Sequence, residues 1–427
     1  MSAQKIFFSI QRGFQHYLAN IRAFRPNARL FLLYITINGA ANGVFRLLFN
    51  FYALSLGFDE ALLGNLVTTS SLTALLAALP MGYTADLLGR KWSLLLATFL
   101  SSLAVILMVV FPQIGMLYAM NVLTGLSQSL AGVTMSPFLM ENSDEKERTY
   151  LFSIGSGLQT TMSSVGNWLG GYLPSWMAAP LHTTITSSLA YGASLLIIGI
   201  LLFLSLTPLL FLRPVTASQS ERTLFEPLTY FRKKPALLIR LIMPMLITSI
   251  GAGLIMPFMN VFYRQVYHQS DPVIGVLFAW GSLWMGIGLL IAPPLAEHFG
   301  KIPLIVGSQA LSIPFLILMG FAPQFWVSAL AYYVRLALMN MSSPVYQTFV
   351  MEHVEPSARA TVSSLTSMSW NFGWAFSPTI SGWMQVSYGF APPYIGTILL
   401  YSIATYLYWA FFGKAEKETE LVSMQVD

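Results

Sequence analysis

The chain alternates between long apolar blocks and short polar connections. Each apolar block has about 20 residues, the length that an α-helix needs to cross roughly 30 Å of hydrocarbon. We count twelve such blocks, so the pattern predicts an all-α membrane protein with twelve transmembrane helices. The predicted spans are 30–52, 61–81, 92–111, 115–138, 150–173, 185–211, 236–263, 272–294, 303–321, 324–349, 361–385 and 392–413.

The longest polar interruption divides the spans into two sets of six. The predicted parts are an N-terminal cytoplasmic segment (1–29), a first six-helix bundle (30–211), a central loop (212–235), a second bundle (236–413) and a cytoplasmic tail (414–427). In the N-terminal segment apolar side chains recur at helical spacing between basic ones, which fits an amphipathic helix lying on the membrane surface. A basic tail without that helix is an equally good interpretation.

Lysine and arginine are concentrated in the connections on one side of the predicted bundle. Arg90 and Lys91 follow the second span, Lys301 follows the eighth, and several more fill the central loop. The connections on the other side contain none, and Arg264 at the end of the seventh span comes closest. The positive-inside rule therefore predicts a multi-pass protein of the cell membrane, the inner one in a bacterium, with both termini in the cytoplasm.

The composition agrees with a membrane protein. Charged residues make up 9% of the chain, whereas a soluble domain carries roughly 25%. The net charge of +5 follows from the topology, and nucleic-acid binding is not expected. The chain has no cysteine, which excludes disulfides, thiolate metal sites and a cysteine nucleophile. No metal or cofactor is predicted.

The two halves repeat one another at an offset of 211 residues. The matches fall on glycines and on charges near helix ends, which are too rare in this chain to coincide often by chance. The matching pairs are Gly64 with Gly275, Asp86 with Glu297, Gly89 with Gly300, Arg90 with Lys301, Glu141 with Glu352, Arg148 with Arg359, and Gly171 with Gly382. Parallel repeats of this kind are found in secondary transporters.

Two pairs of motifs resemble those of a known family. GYTADLLGRK, over 82–91, and its degenerate copy PPLAEHFGK, over 293–301, resemble the cytoplasmic signature of the major facilitator superfamily. GNWLGGYL, over 166–173, resembles the antiporter signature of its drug-efflux branch, although Asn167 stands where that signature has proline. SPTISGWM, over 377–384, is a second copy that keeps the proline. The resemblance implies two six-helix bundles that alternate access to a central site, in a monomer.

The small residues of the second motif pair carry either an efflux-specific role or close helix packing alone. The helix-packing candidates are Gly166, Gly170, Gly171, Pro378 and Gly382.

Residues of the first motif pair are candidates for a gate. Asp86 stands at the cytoplasmic end of two spans, before a glycine turn and two cations, where its carboxylate can pair with Arg148 or with a helix N-terminus. Such a contact can form in one conformation and break in the other. The alternative is that the cations only fix topology. The gating candidates are Gly82, Asp86, Gly89, Arg90, Lys91, Glu141, Arg148, Glu297, Gly300, Lys301, Glu352 and Arg359.

The first span carries a polar stripe. Asn38, Asn42 and Arg46 recur every four residues, as does Asn50 after them, so they share one helix face. An arginine facing lipid near the midplane would cost at least ~2.5 kcal/mol, so this face looks into the bundle or into water. The family resemblance implies that spans 1, 4, 7 and 10 line the central cavity. The substrate-binding candidates are Asn38, Asn42, Arg46, Asn121, Thr124, Gln128, Asn260, Arg335, Trp370 and Trp374.

Structural roles compete with these assignments. Arg46 could pair with Asp59 or Glu60 at the outer rim, and the tryptophans could serve as packing or interface anchors.

The function expected from these features is secondary transport of a small organic solute, anionic or amphipathic, by an exporter or antiporter. No phosphate-binding loop is present, and no carboxylate falls well inside a span, so H+ is only a candidate coupling ion. The arginine that drug antiporters carry in span 4 is absent, with Asn121 near its place. A lipid or lysolipid translocator, an uncoupled facilitator or anion exchanger, and a receptor stay open. An enzyme is not expected, because the spans lack a catalytic cluster.

Overall fold

The computed structural model describes residues 25–143, 145–213, 235–352, 354 and 359–424. Twelve long helices, α1 to α12, account for nearly all of this part of the chain. Their bounds are Pro26–Ser55, Glu60–Leu88, Arg90–Val110, Ile114–Glu141, Glu145–Ala178, Ser188–Leu210, Pro235–Tyr267, Asp271–Phe299, Lys301–Phe321, Phe325–Glu352, Arg359–Tyr388 and Ala391–Met424. The predicted all-α fold of two six-helix bundles is confirmed.

Two of these helices are interrupted. The helix α6 consists of Ser188–Leu204 and a short continuation, Leu206–Leu210. In α7 a 3-10 turn at Met256–Phe258 separates Pro235–Ile255 from Met259–Tyr267. The predicted amphipathic helix and most of the central loop lie outside the described residues.

Eight of the helices in the described part are long and apolar enough to cross a membrane. The remaining four, α4, α5, α10 and α11, are equally long but more polar. All four contribute residues to the space between the two halves. Their lower apolarity therefore reflects side chains that face the protein interior and not lipid.

The internal repeat is visible in the helix bounds. After a shift of 211 residues the bounds of α2, α3 and α4 coincide, residue for residue, with those of α8, α9 and α10. Gly89 and Gly300, which end α2 and α8, have φ angles of 78° and 86°. Side chains rarely adopt such angles, so glycine allows the same sharp break in both halves.

The two ends of the bundle differ in how the halves meet. We call the end that carries Arg90, Lys91 and Lys301 the basic end, and the other the opposite end. Near the basic end each half has its own apolar cluster, around Phe31 in the first half and Ile305 in the second. Towards the opposite end two clusters, a large one around Phe262 and a small one around Phe258, join helices of both halves.

Four glycines bring the halves together at the opposite end. A Cβ on Gly275 would lie 2.5 Å from the Asn167 carbonyl oxygen, and one on Gly171 would lie 2.7 Å from that of Asp271. The repeat-related glycines make the same approaches, Gly64 to the Pro378 carbonyl and Gly382 to the Glu60 carbonyl. The pairs α5–α8 and α2–α11 therefore close by direct helix-to-backbone contact.

The other helix-packing candidates act within one half. Gly166 and Gly170 face α1, where a Cβ on Gly166 would overlap the Ala40 carbonyl and one on Gly170 would lie 3.2 Å from the Val44 Cα. The glycine motif of α5 thus contacts α1 with one face and α8 with the other.

We expect Gly275→Ala to favour opening of the opposite end, because overpacking against a backbone carbonyl typically costs 1–3 kcal/mol. The chain lacks cysteine, so Met256→Cys can serve as a unique reporter in the space between the halves. Labelling with an impermeant maleimide from the opposite face should rise roughly tenfold. The matched control is Gly286→Ala on the same helix, where a Cβ meets nothing within 4 Å. Equal labelling of both variants would contradict the prediction.

Candidate functional site

A cavity of about 750 Å³ lies between the two halves. This volume is within the range of small-molecule sites. Along α1 it extends from Phe31 to Asn50, a distance of about 28 Å at the rise of an α-helix. Its other walls come mainly from α3, α4 and α5 of the first half and from α7, α8 and α10 of the second.

The wall formed by the first half carries most of the polar side chains of the cavity, beside apolar ones such as Phe45 and Phe49. Asn38, Asn42 and Arg46 of α1 line the cavity together, and the Asn42 amide donates to the Asn38 side-chain oxygen over 2.7 Å. The remaining amide and hydroxyl side chains of this wall are Tyr34, Asn50, Thr98, Ser101, Ser127, Gln128, Gln159, Thr160, Ser163 and Asn167. Most of the α3 and α5 residues in this set were not identified as site residues from the sequence. In α5 the glycine motif indicated helix packing, although the same helix also carries a polar face.

Arg46 projects into the cavity as an exposed cation. It forms no hydrogen bond or ion pair with any described residue. The rim acids considered as its partners are engaged elsewhere: Asp59 caps the α2 N-terminus through the Leu62 N–H, and Glu60 accepts from Gln265. No described residue that lines the cavity is acidic. The guanidinium is therefore open to a ligand.

The wall formed by the second half is mostly apolar. Met256, Met259 and Met285 line it with Phe278 and Trp374. Methionine side chains are flexible and polarizable, so they adapt to apolar ligands of different shape. The cavity thus presents amides and one cation on one side and thioethers and aromatic rings on the other.

Several substrate-binding candidates lie elsewhere. Asn121 and Thr124 are buried in α4 and donate to carbonyls one turn earlier, both over 2.8 Å. Trp370 does not line the cavity, and its carbonyl accepts a hydrogen bond from Ser249. Arg335 is fully buried behind the wall, where it donates to the Tyr401 hydroxyl over 3.2 Å.

The gating candidates at the basic end pair within each half. Arg90 binds Asp86 over 2.7 Å and Glu141 over 3.1 Å, all in the first half. The repeat-related Lys301 and Glu352 form an ion pair in the second half. Lys91 donates to the Leu210 carbonyl over 2.6 Å, and Glu297 is exposed. The side chains of Arg148 and Arg359 lie outside the described part.

Every hydrogen bond between the halves with both partners described lies towards the opposite end. Ser164 of α5 donates to the Ala279 carbonyl over 2.8 Å, and the Thr379 N–H donates to the Thr68 hydroxyl over 3.2 Å. Of the hydrogen bonds between the halves whose partners are both described, these two lie nearest to the basic end. Among the described residues the halves are therefore hydrogen-bonded at the opposite end, and the cavity extends from there towards the basic end.

Two asparagines close the narrow end of the cavity. The Asn50 amide donates to the Asn260 side-chain oxygen over 2.9 Å and to the Pro257 carbonyl over 2.7 Å. Asn260 in turn donates to the Leu47 carbonyl over 2.8 Å. Both asparagines are buried, so their amides satisfy each other across the two halves. Asn50 was part of the predicted stripe but was not singled out for this role.

A second connection at this end, the latch, consists of Tyr191, Arg264, Asp271 and Phe51. Tyr191 of the first half donates to Asp271 of the second over 2.7 Å, and Arg264 donates to both. The guanidinium carbon lies 3.8 Å from the Phe51 ring centroid, within cation–π range. The Asp271 side chain is only 2% exposed. Sequence reasoning missed the latch, and its one signal was that Asp271 repeats Glu60.

The comparisons with known proteins agree with this architecture. A model of the Major Facilitator Superfamily matches residues 31–267 and 245–426. Multidrug resistance protein MdtG of Dickeya zeae (strain Ech586) is 22% identical over 195 residues, 45% of this chain and 47% of that protein. The match thus spans about half of the length of this relative.

Solved structures of transporters share the fold. A bacterial homologue of the human lysosomal transporter Spinster, inward-facing and unoccupied, gives a TM-score of 0.76 at 15% identity, over 91% of this chain and 97% of that one. The nucleoside transporter NupG gives 0.72 at 15% identity, over 91% and 98%. A D-xylose–proton symporter gives 0.68 at 16% identity, over 90% and 97%.

We expect Asp271→Asn to open the opposite end, because losing one partner of a buried ion pair costs about 3–5 kcal/mol. Labelling of Met256→Cys from the opposite face measures the opening. Arg264→Gln should act in the same way, and the double variant should open less than the sum of the two. Glu60→Gln is the control, since its partner Gln265 is neutral. Unchanged labelling in Asp271→Asn would show that the latch does not hold this end.

Proposed function

Because the chain belongs to the major facilitator superfamily, it is a multi-pass membrane transporter and not an enzyme, and we propose that it carries a small organic anion by alternating access. The observation that carries the proposal is Arg46, a cation in the cavity without a partner among the described residues. In a space where no described side chain is acidic, an anion is the ligand that neutralises it. A cationic solute would meet only repulsion from this group.

Because the wall of the second half is mostly apolar, we infer that the carried anion is amphipathic. An anionic group can bind Arg46 and the neighbouring amides, while an apolar body contacts Met259, Phe278 and Trp374. The volume of about 750 Å³ accommodates a drug-sized molecule.

Export is the direction that the conformation supports. By the positive-inside rule the basic end faces the cytoplasm, with both termini there and the protein in the cell membrane. The cavity would then load from the cytoplasm and release its solute when the opposite end opens. The similarity to a multidrug resistance protein points the same way. Exchange for H+ completes the proposal, and the chain would act as a monomer.

The pairs at the basic end would form the gate. Arg90 with Asp86 and Glu141, and Lys301 with Glu352, hold the ends of helices within each half in this conformation. When the halves close over the basic end, these charged ends approach one another, and the carboxylates can exchange partners.

A lipid or lysolipid translocator is the second candidate. Its support is the methionine-rich and aromatic wall, which would suit an acyl chain. Competition between a lysolipid and a short organic anion for the purified protein distinguishes the two.

We expect Arg46→Gln to weaken the binding of organic anions about 10- to 100-fold, because a hydrogen bond to a charged group contributes roughly 1.5–3 kcal/mol. A thermal-shift screen of organic anions identifies the ligands, and proteoliposome flux with and without a pH gradient then tests transport and H+ exchange. Arg46→Lys should retain part of the affinity through its charge. Arg240→Gln, an exposed arginine outside the cavity, is the matched control. Wild-type affinity in Arg46→Gln would end the anion proposal.

We expect Asp86→Ala to abolish transport while the free energy of unfolding changes by less than about 1 kcal/mol, because exposed ion pairs contribute little to stability. The Asp86 side chain is 55% exposed. Flux in proteoliposomes and thermal unfolding of the same preparation measure the two quantities. A variant with normal flux would remove the gating role, and one that loses flux and fold together would assign Asp86 a structural role.

A further inference from the structure

Arg335 is the largest fully buried side chain in the described structure, with 0% of its surface exposed. Its Nη2 donates to the Tyr401 hydroxyl over 3.2 Å, and the guanidinium carbon lies 5.4 Å from the centroid of the same ring. Its Nε and Nη1 have no hydrogen-bond partner. No described carboxylate forms an ion pair with it. The guanidinium is thus buried with the N–H groups of two of its three nitrogens unused.

This arrangement is unfavourable without a further partner. A buried cation loses its hydration, and a tyrosine ring compensates only part of that loss. An apolar side chain of similar volume at the same place would be as stable or more stable. Nε and Nη1 each form a planar fork with Nη2, on two different edges of the guanidinium, so an acceptor beside either nitrogen would satisfy unused donors of the group.

Arg335 lies close to the cavity, although it does not line it. Tyr332 and Leu336, which flank Arg335 on α10, both line the cavity. The Tyr332 phenol is close enough to Arg46 and Arg335 to interact electrostatically with both. On the same wall the Trp374 Nε1 is a buried donor that also lacks an acceptor. This part of the second half therefore contains three buried nitrogen donors that lack an acceptor, Nε and Nη1 of Arg335 and Nε1 of Trp374.

We propose that Arg335 forms a second anion site, which takes one small anionic group that enters from the cavity past Tyr332. Because Tyr332 lines the cavity and Arg335 does not, binding there requires the Tyr332 side chain to rotate aside. The group sits on Nε or on Nη1, with the Tyr401 hydroxyl as a neighbour on Nη2. Its source is either a free ion such as chloride or the carboxylate of the carried anion.

Thermal unfolding of the purified full-length chain tests the site. Sodium chloride replaces sodium gluconate, a bulky and strongly hydrated reference anion, at constant ionic strength. We expect chloride to raise the midpoint of the wild type saturably by about 2–4 °C. Arg335→Met should lose this shift while its midpoint in gluconate stays at or above that of the wild type, because the unpaired buried charge is gone. Arg46→Gln should keep the shift, since the cavity cation is not part of the site.

A second arm uses benzoate in chloride-free buffer. If benzoate stabilises the wild type more than Arg335→Met and chloride does not, the site takes the carboxylate of the solute. If chloride does so, the site takes a free ion. Where Arg335→Met does not fold, Arg335→Lys replaces it, and the loss of the fork should raise the half-saturating concentration about tenfold.

Anion effects that are absent, or equal in the wild type and the Arg335 variants, would overturn the proposal and leave Arg335 to an internal water. The chloride arm requires neither transport nor Arg46. A failure of this site therefore differs from a failure of the proposed transport function, which would appear in Arg46→Gln.

Discussion

A polar group inside hydrocarbon has no water to bind, so it must find a partner in the protein or face a water-filled space. This constraint explains where the polar side chains of the helices lie. Asn121 and Thr124 turn back to carbonyls of their own helix, and Asn50 and Asn260 satisfy each other between the halves. Arg46 faces the cavity. These three arrangements have different consequences. A bond to the same helix shapes that helix, the asparagine pair joins the halves, and the cavity-facing arginine creates a binding site.

The fold could be predicted from the sequence because it depends on local properties, namely the length of the apolar blocks and the charges at their ends. The stripe on α1 could also be located, because a spacing of four residues places Asn38, Asn42 and Arg46 on one helix face whatever the packing. Single polar residues are different. The rotation and tilt of α10 decide whether Arg335 reaches the cavity, and these depend on all neighbouring helices. The latch joins Tyr191 to Asp271 over 80 positions, a contact without a local pattern.

Positions at which the two halves carry matching residues differ in role from positions at which they do not. Shared positions hold the glycine contacts at the opposite end and the ion pairs at the basic end, so both halves move by the same geometry. Unshared positions line the cavity, where amides and a cation on one side face methionines and aromatic rings on the other. The asymmetry of the cavity therefore arises within a symmetric frame, and a solute with two unlike ends would contact both halves at once.

The four glycine contacts at the opposite end touch main-chain carbonyls and not side chains. A seal made from the main chain does not depend on which side chains its partner helices carry. Substitutions on the cavity faces of α1, α5, α7 and α8, apart from the Asn50–Asn260 pair, can therefore accumulate without disturbing these glycine contacts. The same frame could acquire a new cargo through changes at a few lining positions, which makes this architecture readily evolvable and a suitable starting point for redesigned carriers.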